Sequence, residues 1–356
     1  VKKSFKVYFI SHGGKNLKVL VVDDSAFMRK FIGDIIQSDS EMELVGTARN
    51  GEDALRKIAI YKPDVITLDV EMPGLNGLET LRRIMEQTPL PVIMISSLTQ
   101  RDSKITIEAL AAGAIDFITK PSLVKGESAE EIRRLLPLKI KAAAGARLGA
   151  YKKPLCLEEK LKKTSPSGRL ARKIVAIGAS TGGPRALEEV LKGFPADLPA
   201  AVLITQHMPA GFTSSLSKRL DRISPLKVEE AANGEGILES KAYVAPGGVH
   251  LLVARDGTTL LSSSAPVNYV RPSADLMMET AAEVFGPSVV GVVLTGMGRD
   301  GAEGMARIKE KGGKTVVQDP NTAVIPGMPQ AVIKKGSADM IVSLERVAAV
   351  VTGLLK

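Results

Sequence analysis

Residues 17–24 read LKVLVVDD, and the amphipathic stretch SAFMRKFIGDIIQS follows at once over 25–38. The first run is apolar without alternation, the pattern of a strand covered by helices on both faces. Working outward, the same unit recurs: ELVGTA (43–48) with GEDALRKIAIYK (51–62), DVITLDV (64–70) with NGLETLRRIMEQ (76–87), PVIMISS (91–97) with SKITIEALAAG (103–113), and AIDFITKP (114–121). Five such runs predict a doubly wound parallel sheet of five strands, closed by a helix starting near Ser128.

A second alternation begins at Lys173 with KIVAIGAS (173–180), PRALEEVLKGF (184–194), AAVLITQH (200–207) and TSSLSKRLDRI (213–223). Four short pieces follow: KVEEA (227–231), KAYVAP (241–246), HLLVA (250–254) and TTLLSS (258–263). After a helix near Ala274–Phe285 come VVGVVLT (289–295), GAEGMARIKEKG (301–312), KTVVQD (314–319) and a helical end over 344–355. This half is again α/β, a larger doubly wound domain with a hairpin insertion in its middle. The expected division is an extension over 1–16, a five-stranded domain over 17–138, a basic linker over 139–172 and a second domain over 173–356.

The stretch from Lys139 to Lys173 holds eleven basic residues against Glu158 and Glu159, which accounts for the whole net charge of +9. A DNA reader would place its charge on a folded face, so the charge argues for a solvated tether rather than for nucleic-acid binding. With 44% hydrophobic and 24% charged residues the composition is that of a globular protein, and no apolar run approaches the ~20 residues of a membrane span. Residues 1–16 start basic but lack a small-residue cleavage site, which argues against a secretory signal. One cysteine, Cys156, and no zinc spacing point to a cytoplasmic protein without a structural metal site.

Asp23 and Asp24 end the first strand, Asp69 the third, Ser96 the fourth and Lys120 the fifth. In an open parallel sheet these ends share one crevice, and clustered carboxylates there suit a hard divalent cation such as Mg²⁺. Helix capping accounts for one aspartate of the first pair but not for the set. The four motifs VVDDS (21–25), LDVEMPGLNG (68–77), MISS (94–97) and FITKP (117–121) resemble the receiver domain of response regulators. The resemblance implies that Asp69 accepts a phosphoryl group from a histidine kinase. It further implies Mg²⁺ on Asp23, Asp24, Asp69 and the Glu71 carbonyl, and phosphoryl contacts from Ser96 and Lys120. Phe117 is either the aromatic that changes position on phosphorylation in this family or an ordinary core residue.

Gly178-Ala179-Ser180-Thr181-Gly182 fits the G-x-S-x-G pattern at a strand end, where small neighbours expose a hydroxyl; a serine that merely caps a helix fits as well. A serine nucleophile needs a base and an orienting acid. Of the three histidines, His12 lies in the extension, His207 ends a strand as Ser180 does, and His250 starts one and would more often be structural. Asp300 supplies an acid at another strand end. A rival reading takes Gly296, Gly298 and Gly301 as a G-x-G-x-x-G dinucleotide fingerprint with Asp319 as its acid, although Asp300 would then repel a pyrophosphate.

The order Ser, His, Asp departs from that of the α/β-hydrolases. IGASTGGP (177–184), TQHMP (205–209), YVAPGG (243–248), VRPSAD (270–275) and LTGMGRDGAEGM (294–305), preceded by a receiver, instead resemble the CheB family of chemotaxis methylesterases. That resemblance implies Ser180 as nucleophile, His207 as general base and Asp300 as its partner, with backbone amides near Thr181 or Met297 as oxyanion-hole candidates and no cofactor for the esterase. The implied substrates are glutamate methyl esters on methyl-accepting chemotaxis receptors, with deamidation of receptor glutamines, and the implied phosphodonor is the chemotaxis histidine kinase CheA. The tether suggests that the unphosphorylated receiver blocks the esterase cleft. The competing expectation is a nucleotide- or DNA-binding response regulator without esterase activity.

Overall fold

The computed structural model describes residues 16–121, 128–146 and 168–356. His12, Cys156 and most of the basic linker lie outside these residues. The chain divides into two compact units, Val1–Pro154 and Leu155–Lys356.

In the first unit β1 (Leu17–Val22), α1 (Ala26–Gln37), β2 (Met42–Ala48), α2 (Gly51–Tyr61), β3 (Val65–Asp69), α3 (Gly77–Gln87), β4 (Val92–Ser96), α4 (Gln100–Ala112), β5 (Asp116–Thr119) and α5 (Ala129–Ala144) alternate. All strands are parallel, in the order β2-β1-β3-β4-β5. Every residue of β3, β4 and β5 is buried, as the unbroken apolar runs required. The helices start on polar side chains: Ser25, Asn50, Asn76 and Thr99 each accept a backbone N–H three residues on, and Ser128 forms a reciprocal capping box with Glu131.

The helix closing this unit runs past position 138 to Ala144, because Leu136, Ile140 and Ala143 continue its buried face. Lys139 and Lys141, read as tether residues, therefore belong to α5. Lys139 lies 3.0 Å from Asp116, and Lys141 lies 2.8 Å from Asp39. At the other end of the expected linker, Leu170 bridges Leu238 and the Ala171 N–H donates to the Ile237 carbonyl, so these residues pack on the second unit.

The second unit contains β6 (Ile174–Ala179), α6 (Gly183–Lys192), β7 (Ala201–Gln206), α7 (Phe212–Ile223), β8 (Lys227–Glu230), β9 (Lys241–Val244), β10 (His250–Val253), β11 (Thr259–Ser262), α8 (Ala274–Phe285), β12 (Val289–Val293), α9 (Ala302–Glu310), β13 (Lys314–Gln318), α10 (Gly327–Lys334), β14 (Met340–Val342) and α11 (Val347–Leu354). Its main sheet is parallel throughout, ordered β14-β13-β12-β6-β7-β9-β8. The hairpin insertion is β10 with β11, which pair antiparallel. The other two short pieces, β8 and β9, extend the main sheet instead.

The chain leaves β6 toward β7 on one side and returns to β12 on the other. That reversal opens a crevice at the C-terminal ends of β6, β7 and β12. The helices beside it start differently from those of the first unit: Gly182 before α6 (φ +77°) and Gly301 before α9 (φ +91°) take left-handed backbone without a side-chain cap. Only glycine adopts this conformation without strain, so each turn can be tight enough to bring the preceding residues to the crevice.

Candidate active site and acidic pocket

Ser180, His207 and Asp300 follow β6, β7 and β12, three neighbouring strands. The His207 N–H donates to the Ala179 carbonyl at 3.1 Å, and the Ser180 N–H donates to the Thr295 carbonyl at 3.0 Å, so the three strand ends are stitched together at this level. Nε2 of His207 and Oδ2 of Asp300 are 2.7 Å apart. This leaves Nδ1 as the ring nitrogen not engaged by Asp300.

Asp300 is 2% exposed, and its carboxylate is fully partnered. Oδ2 also accepts from the Ala274 N–H at 2.6 Å; Oδ1 accepts from the Ser273 hydroxyl at 2.7 Å and from the Asp275 N–H at 3.3 Å. Burial pushes this carboxyl up, but His207, the Ala274 amide and the Ser273 hydroxyl outweigh it and hold Asp300 well below the usual carboxylate range. Asp275 moves the other way: burial and the charge of Asp300 push it up. Its oxygens accept from the Gly304 N–H and from Nδ2 of Asn268.

Gln206 ends β7, buried below Ser180, and its Nε2 donates to the carbonyls of Ser180 (2.9 Å) and His207 (3.3 Å). Thr181 is buried, and its carbonyl accepts from the Thr295 hydroxyl; Met297 lies half-buried in the loop after β12. His250 is fully buried: Nδ1 accepts from the Ser273 N–H at 3.1 Å, and Nε2 lies 3.2 Å from the Ala265 carbonyl. Gln206 and Ser273 were invisible to sequence reasoning as site residues. Both sit inside the motifs TQHMP and VRPSAD, but which groups they would meet depends on strand order.

In the first unit Asp23, Asp24 and Asp69 each offer a carboxylate oxygen, all within 4.8 Å of one another. Nζ of Lys120 lies 2.8 Å from Oδ2 of Asp69 and 3.3 Å from Oδ2 of Asp23. Oδ2 of Asp23 is buried without a hydrogen bond in its own right. Burial pushes Asp23 up, and burial with the charge of Asp23 pushes Asp69 up to about 7 against the pull of Lys120. Two buried carboxylates facing one ammonium are short of positive charge, and this all-oxygen donor set fits a hard divalent cation. Glu71 follows β3 with its side chain exposed, and its N–H bonds the Asp69 carboxylate.

Ser96 ends β4 as expected, but its hydroxyl accepts from Thr106 of α4 at 2.8 Å and donates to the Ser97 carbonyl. Phe117 is buried in β5, with the Lys139 ammonium 5.6 Å from its ring centre.

Residues 19–128 match the family model of the response regulator receiver domain, and residues 175–351 match that of the CheB methylesterase. A protein-glutamate methylesterase/protein-glutamine glutaminase of Pyrococcus horikoshii is 51% identical over 340 residues, covering 94% of this chain and 92% of its own. The protein of the same name from Symbiobacterium thermophilum is 45% identical over 348 residues, covering 94% and 96%. Among solved structures, the Thermotoga maritima CheB methylesterase catalytic domain is similar at a TM-score of 0.50 with 41% identity, covering 51% of this chain and 98% of that one. Fold and sites thus define a response regulator whose receiver precedes a second α/β module. More narrowly, the chain belongs to the CheB methylesterase family.

Proposed function

We propose that this protein hydrolyses glutamate methyl esters on chemoreceptors to glutamate and methanol, under control of phosphorylation at Asp69, and deamidates selected receptor glutamines by the same chemistry. The observation that carries the reading is the 2.7 Å bond between His207 and a fully partnered Asp300, in the same strand-end crevice as Ser180. Relatives named as methylesterases favour it over a nucleotide- or DNA-binding regulator. In the loop that could have been a dinucleotide fingerprint, Asp300 is bonded to His207, Ser273 and the first amides of α8.

In this reading Oγ of Ser180 attacks the ester carbonyl while Nδ1 of His207 takes its proton. Asp300 stays ionised, holds the ring and stabilises the imidazolium. Backbone amides near Thr181 or Met297 receive the developing oxyanion. The C–OCH₃ bond breaks, His207 returns the proton to the leaving methoxide, and methanol departs. Water, deprotonated by His207, then attacks the acyl-enzyme, giving glutamate and free Ser180; with a glutamine the leaving group is ammonia.

At the acidic pocket the Asp69 carboxylate takes the phosphoryl group from a histidine kinase. Asp23, Asp24, Asp69 and the Glu71 carbonyl would hold Mg²⁺, which neutralises charge on the transferred phosphoryl group. Lys120 would move from a carboxylate oxygen to a phosphoryl oxygen, and Ser96 would turn its hydroxyl from Thr106 toward it. The receiver module ends with α5, and the catalytic module takes in Leu170 and Ala171, which bond Leu238 and Ile237 ahead of β6. No described helix is long and apolar enough to cross a membrane, and in this reading the protein works in the cytoplasm. Methanol release from methylated receptor cytoplasmic fragments tests the reading. Ser180→Ala should abolish it, and undiminished release would overturn the assignment.

A further inference from the structure

The two ring bonds of His250 define what it can do. Nδ1 accepts the Ser273 N–H at 3.1 Å, so it carries no proton, and Nε2 faces the Ala265 carbonyl at 3.2 Å, so it carries one. The ring is thus a neutral imidazole of fixed tautomer, fully buried at the start of β10. With both nitrogens engaged it is no base for the ester.

Ser273 stands at the N-cap of α8 but does not cap it; none of the helix amides bonds its hydroxyl. The hydroxyl turns to Oδ1 of Asp300 instead. The Asp300 carboxylate takes over the capping, accepting from the Ala274 and Asp275 amides. A carboxylate at a helix start is favoured by the orphan amides and the helix dipole. The start of α8 is therefore the seat of the acid that orients His207. The seat in turn hangs on the Ser273 backbone, whose own N–H is satisfied by His250.

We propose that His250 and Ser273 are positioning residues for the hydrolysis: His250 fixes the backbone of Ser273, and the Ser273 hydroxyl with the first amides of α8 fixes Asp300 toward His207. The inference rests on the assignment of Asp300 to the catalytic group. It extends that group by a buried chain running from His250 through Ser273 and Asp300 to His207. Asparagine at position 250 can offer Oδ1 near the place of Nδ1, whereas leucine fills the space and offers no acceptor.

The test compares kcat and KM for methanol release by the full-length protein, with phosphodonor and Mg²⁺, in His250→Leu, His250→Asn, Ser273→Ala and Ser180→Ala. His250→Leu and Ser273→Ala should each lower kcat about 10- to 100-fold with KM little changed, the scale expected when a reacting group is misplaced by about an ångström. His250→Asn should recover most of the loss. The downfield proton resonance of the His207–Asp300 bond should shift in Ser273→Ala, which also serves should His250→Leu fail to fold. The inference is overturned if Ser273→Ala keeps wild-type kcat and an unmoved resonance, if His250→Asn is as impaired as His250→Leu, or if the losses fall on KM. Release surviving in Ser180→Ala would sink the underlying assignment instead, a result distinct from these.

Discussion

The side chain of Gln206 donates from Nε2 to the carbonyl oxygen of Ser180 at 2.9 Å, and so ties the end of β7 to the residue that follows β6. The same nitrogen lies 3.3 Å from the His207 carbonyl, so one amide holds the backbone of both residues from beneath. Gln206→Met keeps the bulk and removes the donor. It should cost about 1 to 2 kcal/mol of stability, the scale of buried hydrogen bonds left unmade. It should also lower kcat severalfold while phosphorylation of Asp69 proceeds normally. Thermal melts with methanol release check this; an unchanged kcat would remove Gln206 from the site.

Asp300→Asn should lower kcat by about 10³- to 10⁴-fold with a small effect on KM, since the amide holds His207 in the wrong tautomer and cannot stabilise its cation. The same change removes the charge that pushes Asp275 up. Asp275 should then titrate at lower pH in Asp300→Asn than in the wild type, which carboxyl-labelled NMR reads directly.

Substitutions at two glycines should separate esterase from phosphorylation. A Cβ at Gly296 would meet the sulfur of Met328 and come within 2.7 Å of Cβ of Ser180; the methionine can move, but Ser180 cannot without losing its place. A Cβ at Gly77 would run into the Asp69 carbonyl, with the Asp69 C and Val70 Cα at 2.9 Å, all backbone at the end of β3. Gly296→Ala should impair ester hydrolysis and spare phosphorylation. Gly77→Ala should impair phosphorylation and spare the basal esterase rate. Paired acyl-phosphate labelling and methanol assays decide, and a crossed pattern would contradict the placement.

Asp69 has an ordinary value of 3.8 and is raised to about 7 in the folded protein. Between those values the native state holds a proton that the unfolded state has lost, so stability falls as pH rises through that window. Asp69→Asn should therefore raise the melting midpoint more at about pH 8 than at about pH 5. Because a cation binds the ionised carboxylate, Mg²⁺ affinity should climb as pH rises to about 7 and level off above it. Calorimetric Mg²⁺ titrations across this range measure the slope; a flat profile would mean that Asp69 does not titrate there.

Both sheets were legible because parallel strands buried on two faces leave unbroken apolar runs, and LKVLVV and AAVLIT could be little else. Strand ends followed from those runs, which is why Asp69, Ser180 and His207 could be singled out before any pairing was known; Asp300, expected at a strand end, lies instead in the loop between β12 and α9. The four-residue pieces β8 and β9 carried no sign of their direction; it is set by the connection over 231–240, not by their composition. The reach of α5 was written in Leu136, Ile140 and Ala143, but the basic residues around them masked it as tether. Ser273 and His250 could not be read, since their bonds join segments 23 residues apart through a loop whose path the sequence does not state.

Control of the hydroxyl that follows β6 by the carboxylate at the end of β3 can be measured directly. Initial rates of methanol release from a methylated receptor fragment should be compared for the wild type and Asp69→Asn, each with and without a small acyl-phosphate donor and Mg²⁺. The donor should accelerate the wild type and leave Asp69→Asn at the unstimulated rate. Equal acceleration of both proteins, or none of either while Asp69 is shown to be phosphorylated, would contradict this control.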